Sequence, residues 1–326
     1  MTVECDDLDL EPLAHAVDAE RAVLQKRSEA LKFPSGTVAA ADYASRTLKT
    51  VADLARSGDR SKLCGALGAW FVFYQVNQPI LMTAYHTPSV RGSLTADETY
   101  RYPLHRRPKD AHAHDASAQI LAGSLANRGL ELVWLADPYD ALALQVEGAG
   151  NIQLPDGSFL AVGADGHNGQ AYQNVSKLLA ADKKMPSGPA PVTNLPGNPK
   201  ARKYFSAHPS ELNVYWAKNP HYVFFRRVAK AGTGKFGALT PGRSIAVDPA
   251  HVPFGALMWI SAQKPTVETG RITGYVPFTR LVLAQDTGAG IKGPGRIDVY
   301  YGEDDYAQIA AAATSVQGTA YVLLMK

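Results

Sequence analysis

Three aspartates stand where strand residues would be expected: Asp248 in SIAVDP, Asp286 closing LVLAQD, and Asp298 inside RIDVYY. A carboxyl group set between neighbours such as Ile297 and Val299 is costly to bury unless it is satisfied or used. Residues 281–302 join two short apolar runs through a glycine-rich loop that carries Lys292. One carboxylate therefore closes the first strand, and another lies at the start of the second. Such groups can do general acid–base chemistry, because burial or a nearby like charge raises a carboxyl pKa until the proton is held near neutral pH. Asp248, just before Pro249, also reads as a turn cap. Asp298 is the stronger candidate.

Other chemistries fit these residues less well. GAGIKG at 288–293 matches G-x-G-x-x-G after a strand, but Pro294, Gly295 and a new strand follow. A dinucleotide site needs a helix there to receive the pyrophosphate. Asp286-Thr287-Gly288 matches the active-site turn of aspartic proteases, which need two such turns whose aspartates share a proton. The chain has one. His112 and His114 lie in AHAHD without a further ligand cluster, so no metal site is expected. Neither G-x-S-x-G nor H-E-x-x-H occurs.

The elements that must position the aspartates are mainly β with N-terminal helices. The 326 residues allow two domains, and 46% hydrophobic with 19% charged residues is the balance of a globular protein. A formal charge of +3 without basic runs gives no nucleic-acid footprint. Leu13, Val17, Leu24 and Leu31 predict a helix over 11–32, ended by Pro34-Ser35-Gly36, and a second helix follows over about 38–55. Residues 65–88 are the most apolar stretch, but Gln75, Asn77, Gln78 and Pro79 interrupt it too soon for a membrane span.

Composition turns polar and arginine-rich over 88–108, where a second domain is expected to begin. Residues 130–162 read as mostly β, with a hairpin turn at Pro155-Asp156-Gly157. A proline- and glycine-rich surface loop over 183–200 and a helix over 201–217 come next. YVFFRRV, SIAVDP, ALMWISA, RLVLAQD, RIDVYYG and AYVLLMK then give six short strands, interrupted by a helix over 306–313. A β-barrel is expected there. Cys5 and Cys64 match no metal spacing and leave a disulfide open. The first twenty residues are acidic and lack an apolar core, so no signal peptide is expected in them.

Several motifs, taken in order, carry a resemblance. AYHTP (84–88), GS (92–93), YRYPLHRRP (100–108), LQVEGAGNIQLPDGSFLAVGADGHNGQAY (144–172), NPHYVFFR (219–226), LTPGRSIAVDPAHVPFGA (239–256) and QDTGAGIKGPGRIDVYYG (285–302) resemble the membrane-bound lytic murein transglycosylase A (MltA) family with its C-terminal three-aspartate (3D) domain. The resemblance implies a double-psi β-barrel from residues 1–94 and 229–326, a smaller β-barrel inserted over 95–228, and a groove between them for a glycan strand. It departs from the family at His86, where a second tyrosine is usual, at Glu147 and Ala149, in the order Ala289-Gly290, and at Gly302-Glu303, which lacks a second glycine.

The implied reaction is non-hydrolytic cleavage of the β-1,4 bond between N-acetylmuramic acid and N-acetylglucosamine in peptidoglycan, leaving a 1,6-anhydro end. By motif Asp298 is the acid/base. Asp286 and Asp248 would orient or tune it, and Lys292 with the loop amides would stabilise the leaving oxygen or bind sugar substituents. Tyr85, Thr87, Gln145, Thr287 and Gly288 would line the sugar site. No cofactor or metal is implied. The expected partner is the glycan strand, the expected form a monomer, and the expected place the bacterial envelope (periplasm or outer membrane), with any lipid anchor on a fuller-length form. The rival of another class is a double-psi barrel that binds glycan without cutting it, or hydrolyses it, as expansin-like proteins suggest.

Overall fold

The computed structural model describes residues 6–76, 79–187, 196–234, 237–288 and 290–326. Cys5, Asn77, Gln78, Ala289 and residues 188–195 of the proline-rich segment lie outside them. Two compact units result: one from residues 1–85, 233–302 and 313–326, the other from 86–232 and 303–312.

The strands, in chain order, are β1 (Ala30–Phe33), β2 (Gly36–Ala39), β3 (Phe71–Gln75), β4 (Ile80–Tyr85), β5 (Ser89–Ser93), β6 (Tyr102–His105), β7 (Glu131–Leu135), β8 (Ala149–Gln153), β9 (Phe159–His167), β10 (Val223–Arg227), β11 (Ser244–Ala246), β12 (Leu257–Glu268), β13 (Arg271–Asp286), β14 (Arg296–Tyr300) and β15 (Ser315–Met325).

In the first unit the order β12-β13-β11-β14-β4-β15 closes on itself through a β12–β15 pairing, and β3 adds to β15. Closure leaves the ring itself without an edge strand, and the β12–β13 hairpin runs on beyond it with only its own two strands paired. The ladders are mixed. β11 runs parallel to β13 and β14 parallel to β4, while β11–β14, β12–β13 and β4–β15 are antiparallel. This is the double-psi barrel. Ile80, Met82, Ile245, Leu281, Leu283, Ile297, Val299 and Val322 are buried within it, as alternation demands.

Helices Leu10–Leu24 and Arg60–Trp70 and a helical run from Ala40 to Arg56, with a π-turn at Ala44–Leu48, belong to the same unit. The first helix is shorter than its periodicity predicts. Leu31 instead sits in β1, because Pro34-Ser35 forms a two-residue hairpin loop and Gly36, at φ +128°, pairs with Phe33. Val38 likewise falls in β2 rather than in the second helix. Cys64 is disulfide-bonded. Among the described residues no helix is long and apolar enough to cross a membrane; residues 71–75 of the apolar stretch form β3.

The second unit carries a six-stranded sheet in the order β10-β9-β8-β5-β7-β6. Pro155-Asp156-Gly157 turns β8 into β9, whose Gln153 and Phe159 face each other. Two expectations are corrected here. Leu142 and Leu144, expected in strands, lie in helix Pro138–Glu147. Asp137 caps that helix on the Tyr139 amide, Pro138 occupies its first turn, and Gly148 at φ +72° ends it. The helix expected over 201–217 is two, Pro199–Ala207 and Pro209–Ala217, because Pro209 lacks the amide that would continue the first.

YVFFRRV also proves to be β10 of this sheet rather than a barrel strand; β4 takes the place in the barrel. Arg202 is buried here between Asp140 (2.5 Å) and Asp137 (2.8 Å), with its guanidinium over the Tyr139 ring.

Candidate active site

The barrel register brings two of the aspartates to one residue. On β11, Ala246 faces Asp286 of β13 on one side and Asp298 of β14 on the other. On the far side of β14, Asp298 faces Thr83 and Tyr300 faces Tyr85 of β4. Strand alternation then puts Arg296, Asp298 and Tyr300 on one side of β14, beside Thr83 and Tyr85. No sequence-local element could have assembled this cluster; three different strands supply it.

Each carboxyl group has its own hydroxyl partner. Thr83 Oγ1 donates to Asp298 Oδ1. Tyr85 donates its phenolic proton to Asp286 Oδ2 at 2.9 Å, and its ring packs on Tyr300 with centroids 5.3 Å apart. Arg296 Nη1 donates to Thr83 Oγ1 at 2.8 Å and to the Ile297 carbonyl at 2.9 Å.

Both carboxyls keep a solvent-facing edge while dense protein surrounds the rest, and that packing governs their protonation. Burial pushes Asp298 up to about 6, against the opposing pull of the Thr83 hydrogen bond and the Arg296 charge, with a small further push from Asp286. Burial also raises Asp286, opposed by the Thr287 amide and the Tyr85 hydroxyl. Tyr85, half-buried beside two carboxyls, is pushed well above the ordinary phenol value by desolvation and by the Asp286 charge, and so holds its proton firmly.

Asp248 has a different setting. It lies two residues beyond β11 and accepts from the amides of Gly293 (2.8 Å) and Ala250 (3.1 Å), which lower its pKa. It thus ties the 288–295 loop to the end of β11 and caps its own turn, and no bond joins it to Asp298 among those the structure gives. In that loop Lys292 is exposed, the Thr287 side chain is exposed and Gly288 is half-buried. Thr87 and Gln145 belong to the second unit and are buried there. The Gln145 Oε1 accepts from the Val223 amide at 2.6 Å, whereas its Nε2 has no partner among the described residues. His112 bonds Asp115, and His114 meets the Asn168 carbonyl.

Sequence reasoning missed Thr83, Arg296 and Gly234. Period two supplied a signal for the first pair, since Thr83 precedes Tyr85 by two residues and Arg296 precedes Asp298 by two. Gly234 had none. A β-carbon there would lie 2.7 Å from the Gln285 carbonyl and 3.4 Å from the Asp286 side chain, so only glycine lets this segment approach the strand that holds Asp286.

Two family models match in tandem: the MltA specific insert domain over residues 81–226 and the 3D domain over 243–324. The chain belongs to the MltA family. Membrane-bound lytic murein transglycosylase A of Vibrio cholerae is 27% identical over 237 residues, 71% of this chain; the chain spans 62% of that relative's length. The crystal structure of a membrane-bound lytic murein transglycosylase from Agrobacterium tumefaciens has a TM-score of 0.79 at 25% identity, covering 97% of this chain and 93% of that one. Escherichia coli MltA with bound chitohexaose has the same fold, with a TM-score of 0.79 at 21% identity over 99% of this chain and 92% of its own. Within this MltA-family chain the aspartates fall in the segment that matches the 3D domain, whereas Thr83 and Tyr85 fall at the start of the match to the insert domain.

Proposed function

We propose that the chain is a peptidoglycan lytic transglycosylase in which Asp298 is the sole acid/base. The observation that carries this reading is the setting of Asp298: a carboxyl packed into the barrel, held by the Thr83 hydroxyl and, among the described residues, in no direct ion pair, so that burial pushes it up to about 6. A general acid must hold its proton near the working pH, and a carboxyl raised in this way keeps a far larger protonated share there than an ordinary aspartate.

In the proposed reaction Asp298 gives its proton to the glycosidic oxygen as the bond to C1 of N-acetylmuramic acid breaks, and N-acetylglucosamine leaves with a free 4-hydroxyl. The resulting carboxylate takes the proton of the C6 hydroxyl of the same muramic residue. That oxygen bonds to C1 and closes the 1,6-anhydro ring, and Asp298 is protonated again. Ordinary glycosidases place two carboxyls to handle a water or a covalent intermediate. Here the nucleophile is tethered to the electrophile, and this removes the need to position water.

Asp286 keeps a supporting part, adding like charge beside Asp298 and taking the Tyr85 proton as a hydrogen bond. A proton-sharing pair, as in aspartic proteases, would bond carboxyl to carboxyl; here each bonds its own hydroxyl. Asp248 is assigned to hold the 288–295 loop, whose Lys292 and amides would meet sugar substituents, as would Tyr85, Thr287 and Gly288. The names of the Vibrio and Agrobacterium relatives support murein as the substrate and the bacterial envelope as the place. The disulfide at Cys64 fits an oxidising compartment.

Purified sacculi incubated with the wild type and with Asp298→Asn test the proposal. Mass spectrometry of the released muropeptides should show 1,6-anhydro ends from the wild type, reduced about 10²–10⁴-fold in the variant, as expected for loss of a general acid. Hydrated reducing ends would instead show hydrolysis, and binding without product would show a glycan-binding barrel. The rate should fall as pH rises through about 6, because the acid form of Asp298 is then lost.

A further inference from the structure

We infer that Arg296 and Thr83 fix which oxygen of Asp298 carries the catalytic proton. The inference rests on the acid/base reading above and adds a positioning pair to it. A guanidinium can only donate, so the Arg296 Nη1 bond occupies one lone pair of Thr83 Oγ1. A hydroxyl owns a single proton, and with Arg296 on its oxygen that proton is directed to Asp298 Oδ1. Oδ1 is therefore an acceptor, and the carboxyl's own proton is confined to Oδ2. Arg296 is itself held by donating to the Ile297 carbonyl at 2.9 Å, one peptide from the acid. The chain of donors has one direction: Arg296 to Thr83 to Asp298.

This arrangement serves both halves of the reaction. In the first half it presents the proton on one oxygen instead of dividing it between two. In the second, the Thr83 bond persists on Oδ1, and Oδ2 is left to take the C6 hydroxyl proton. Oδ2 thus gives and receives, while Oδ1 anchors.

The other groups that face Asp298 do not duplicate this. On β13 Asp286 is an acceptor committed to Tyr85. On β4 the Tyr85 proton goes to Asp286, and on β11 the facing residue is Ala246. Tyr301, next along the chain from β14, feels the Asp298 charge but shares a hydrogen bond with Thr314.

The test reads Asp298 directly. Carbon-13 carboxyl titration by NMR on substrate-free protein, assigned with Asp298→Asn, gives the midpoint in the wild type, Thr83→Val, Thr83→Ser and Arg296→Gln. Thr83 and Arg296 both favour the ionised form. Thr83→Val should therefore raise the midpoint by roughly one unit, as loss of a hydrogen bond to a charged group implies. Thr83→Ser should restore it, and Arg296→Gln should raise it by less. On sacculi, Thr83→Val should lower kcat on the order of tenfold with KM little changed, and the falling limb of its pH profile should move up with the midpoint.

A Thr83→Val midpoint equal to the wild type's would overturn the inference, as would a Thr83→Ser midpoint displaced as far as that of Thr83→Val. If the midpoints move as expected while the wild type releases no anhydro product, the relay stands and the proposed reaction falls. Should Thr83→Val fail to fold, the serine and Arg296→Gln variants still decide: an unshifted Arg296→Gln midpoint removes Arg296 from the relay.

Discussion

Two sets of aspartates meet strand β13 only a few residues apart, and they are held in opposite ways. Asp6 and Asp7 contact its middle. Asp6 pairs with Arg243 and accepts the Leu281 amide at 2.7 Å, while Asp7 bonds Arg280 at 2.8 Å through both oxygens and Lys264 at 2.5 Å. Asp286 closes the same strand, and Asp298 lies one strand beyond β11; both bond hydroxyls. Burial works against the charge in both regions. Around Asp7 the two cations outweigh it and the pKa is lowered, whereas around Asp298 it prevails. The partner decides whether a carboxyl on this barrel is a fixed charge or a proton donor. A cation in place of Thr83 would make Asp298 resemble Asp7, ionised and unable to act as an acid.

The comparison can be tested first where the cations are. Arg243 is fully buried, and Asp6 is 1% exposed. Arg243→Met would leave Asp6 as an uncompensated buried charge, and we expect a loss of about 3–5 kcal/mol in unfolding free energy by denaturant titration. A loss below about 1 kcal/mol would mean that the pair contributes little, and the contrast would fail on its structural side.

The second test has the opposite sign. Asp298 has a folded pKa near 6 against 3.8 when exposed, so the folded state holds this proton more tightly than the unfolded chain. Stability therefore declines as pH rises from about 4 to about 6, and the full penalty persists above that. Asp298→Asn removes the penalty. After discounting for the solvent-facing edge, we expect the variant to be more stable by about 1–2 kcal/mol at pH 7.5 and the gain to vanish near pH 4. An inactive variant that is also less stable at pH 7.5 would show that the wild-type site is not strained by its charge.

How much of this was legible in the sequence depends on how local each cause was. Asp298 announced itself because an acid between Ile297 and Val299 is out of place in a strand. The Pro155-Asp156-Gly157 hairpin was readable because its dihedrals belong to those residue types. Helix Pro138–Glu147 carries its cap and its stop in Asp137, Pro138 and Gly148, yet the short apolar run ALAL also fits a buried strand, which periodicity alone cannot tell from a buried helix. The pairing of Asp298 with Thr83 was out of reach, since it depends on a parallel register across 215 residues of chain. The same holds for β10, which reads like the strands after it yet pairs with β9 in the other sheet. Asp6 and Asp7 lie in an acidic stretch that composition alone marks as solvated, and only the fold sets Arg243, Arg280 and Lys264 against them.

The smallest expected effect comes from Arg280→Met, and it discriminates by its pH dependence more than its size. Asp7 is only partly buried, and Lys264 remains beside it when Arg280 is gone. We therefore expect a loss of only about 1 kcal/mol at pH 7. Because the folded pKa of Asp7 is lowered, its contribution is present above 3.8 and is lost as pH falls through the lower folded value. Wild type and Arg280→Met should converge in acid. Asp298→Asn and the wild type should also converge in acid, but from the other side, the variant being the more stable partner at pH 7.5. Measured on one pH axis, the two variants should flank the wild type at neutral pH and approach it below about pH 4. Curves on the same side would mean that cation and hydroxyl partners leave these carboxyls in the same state, and the distinction between Asp7 and Asp298 would be lost.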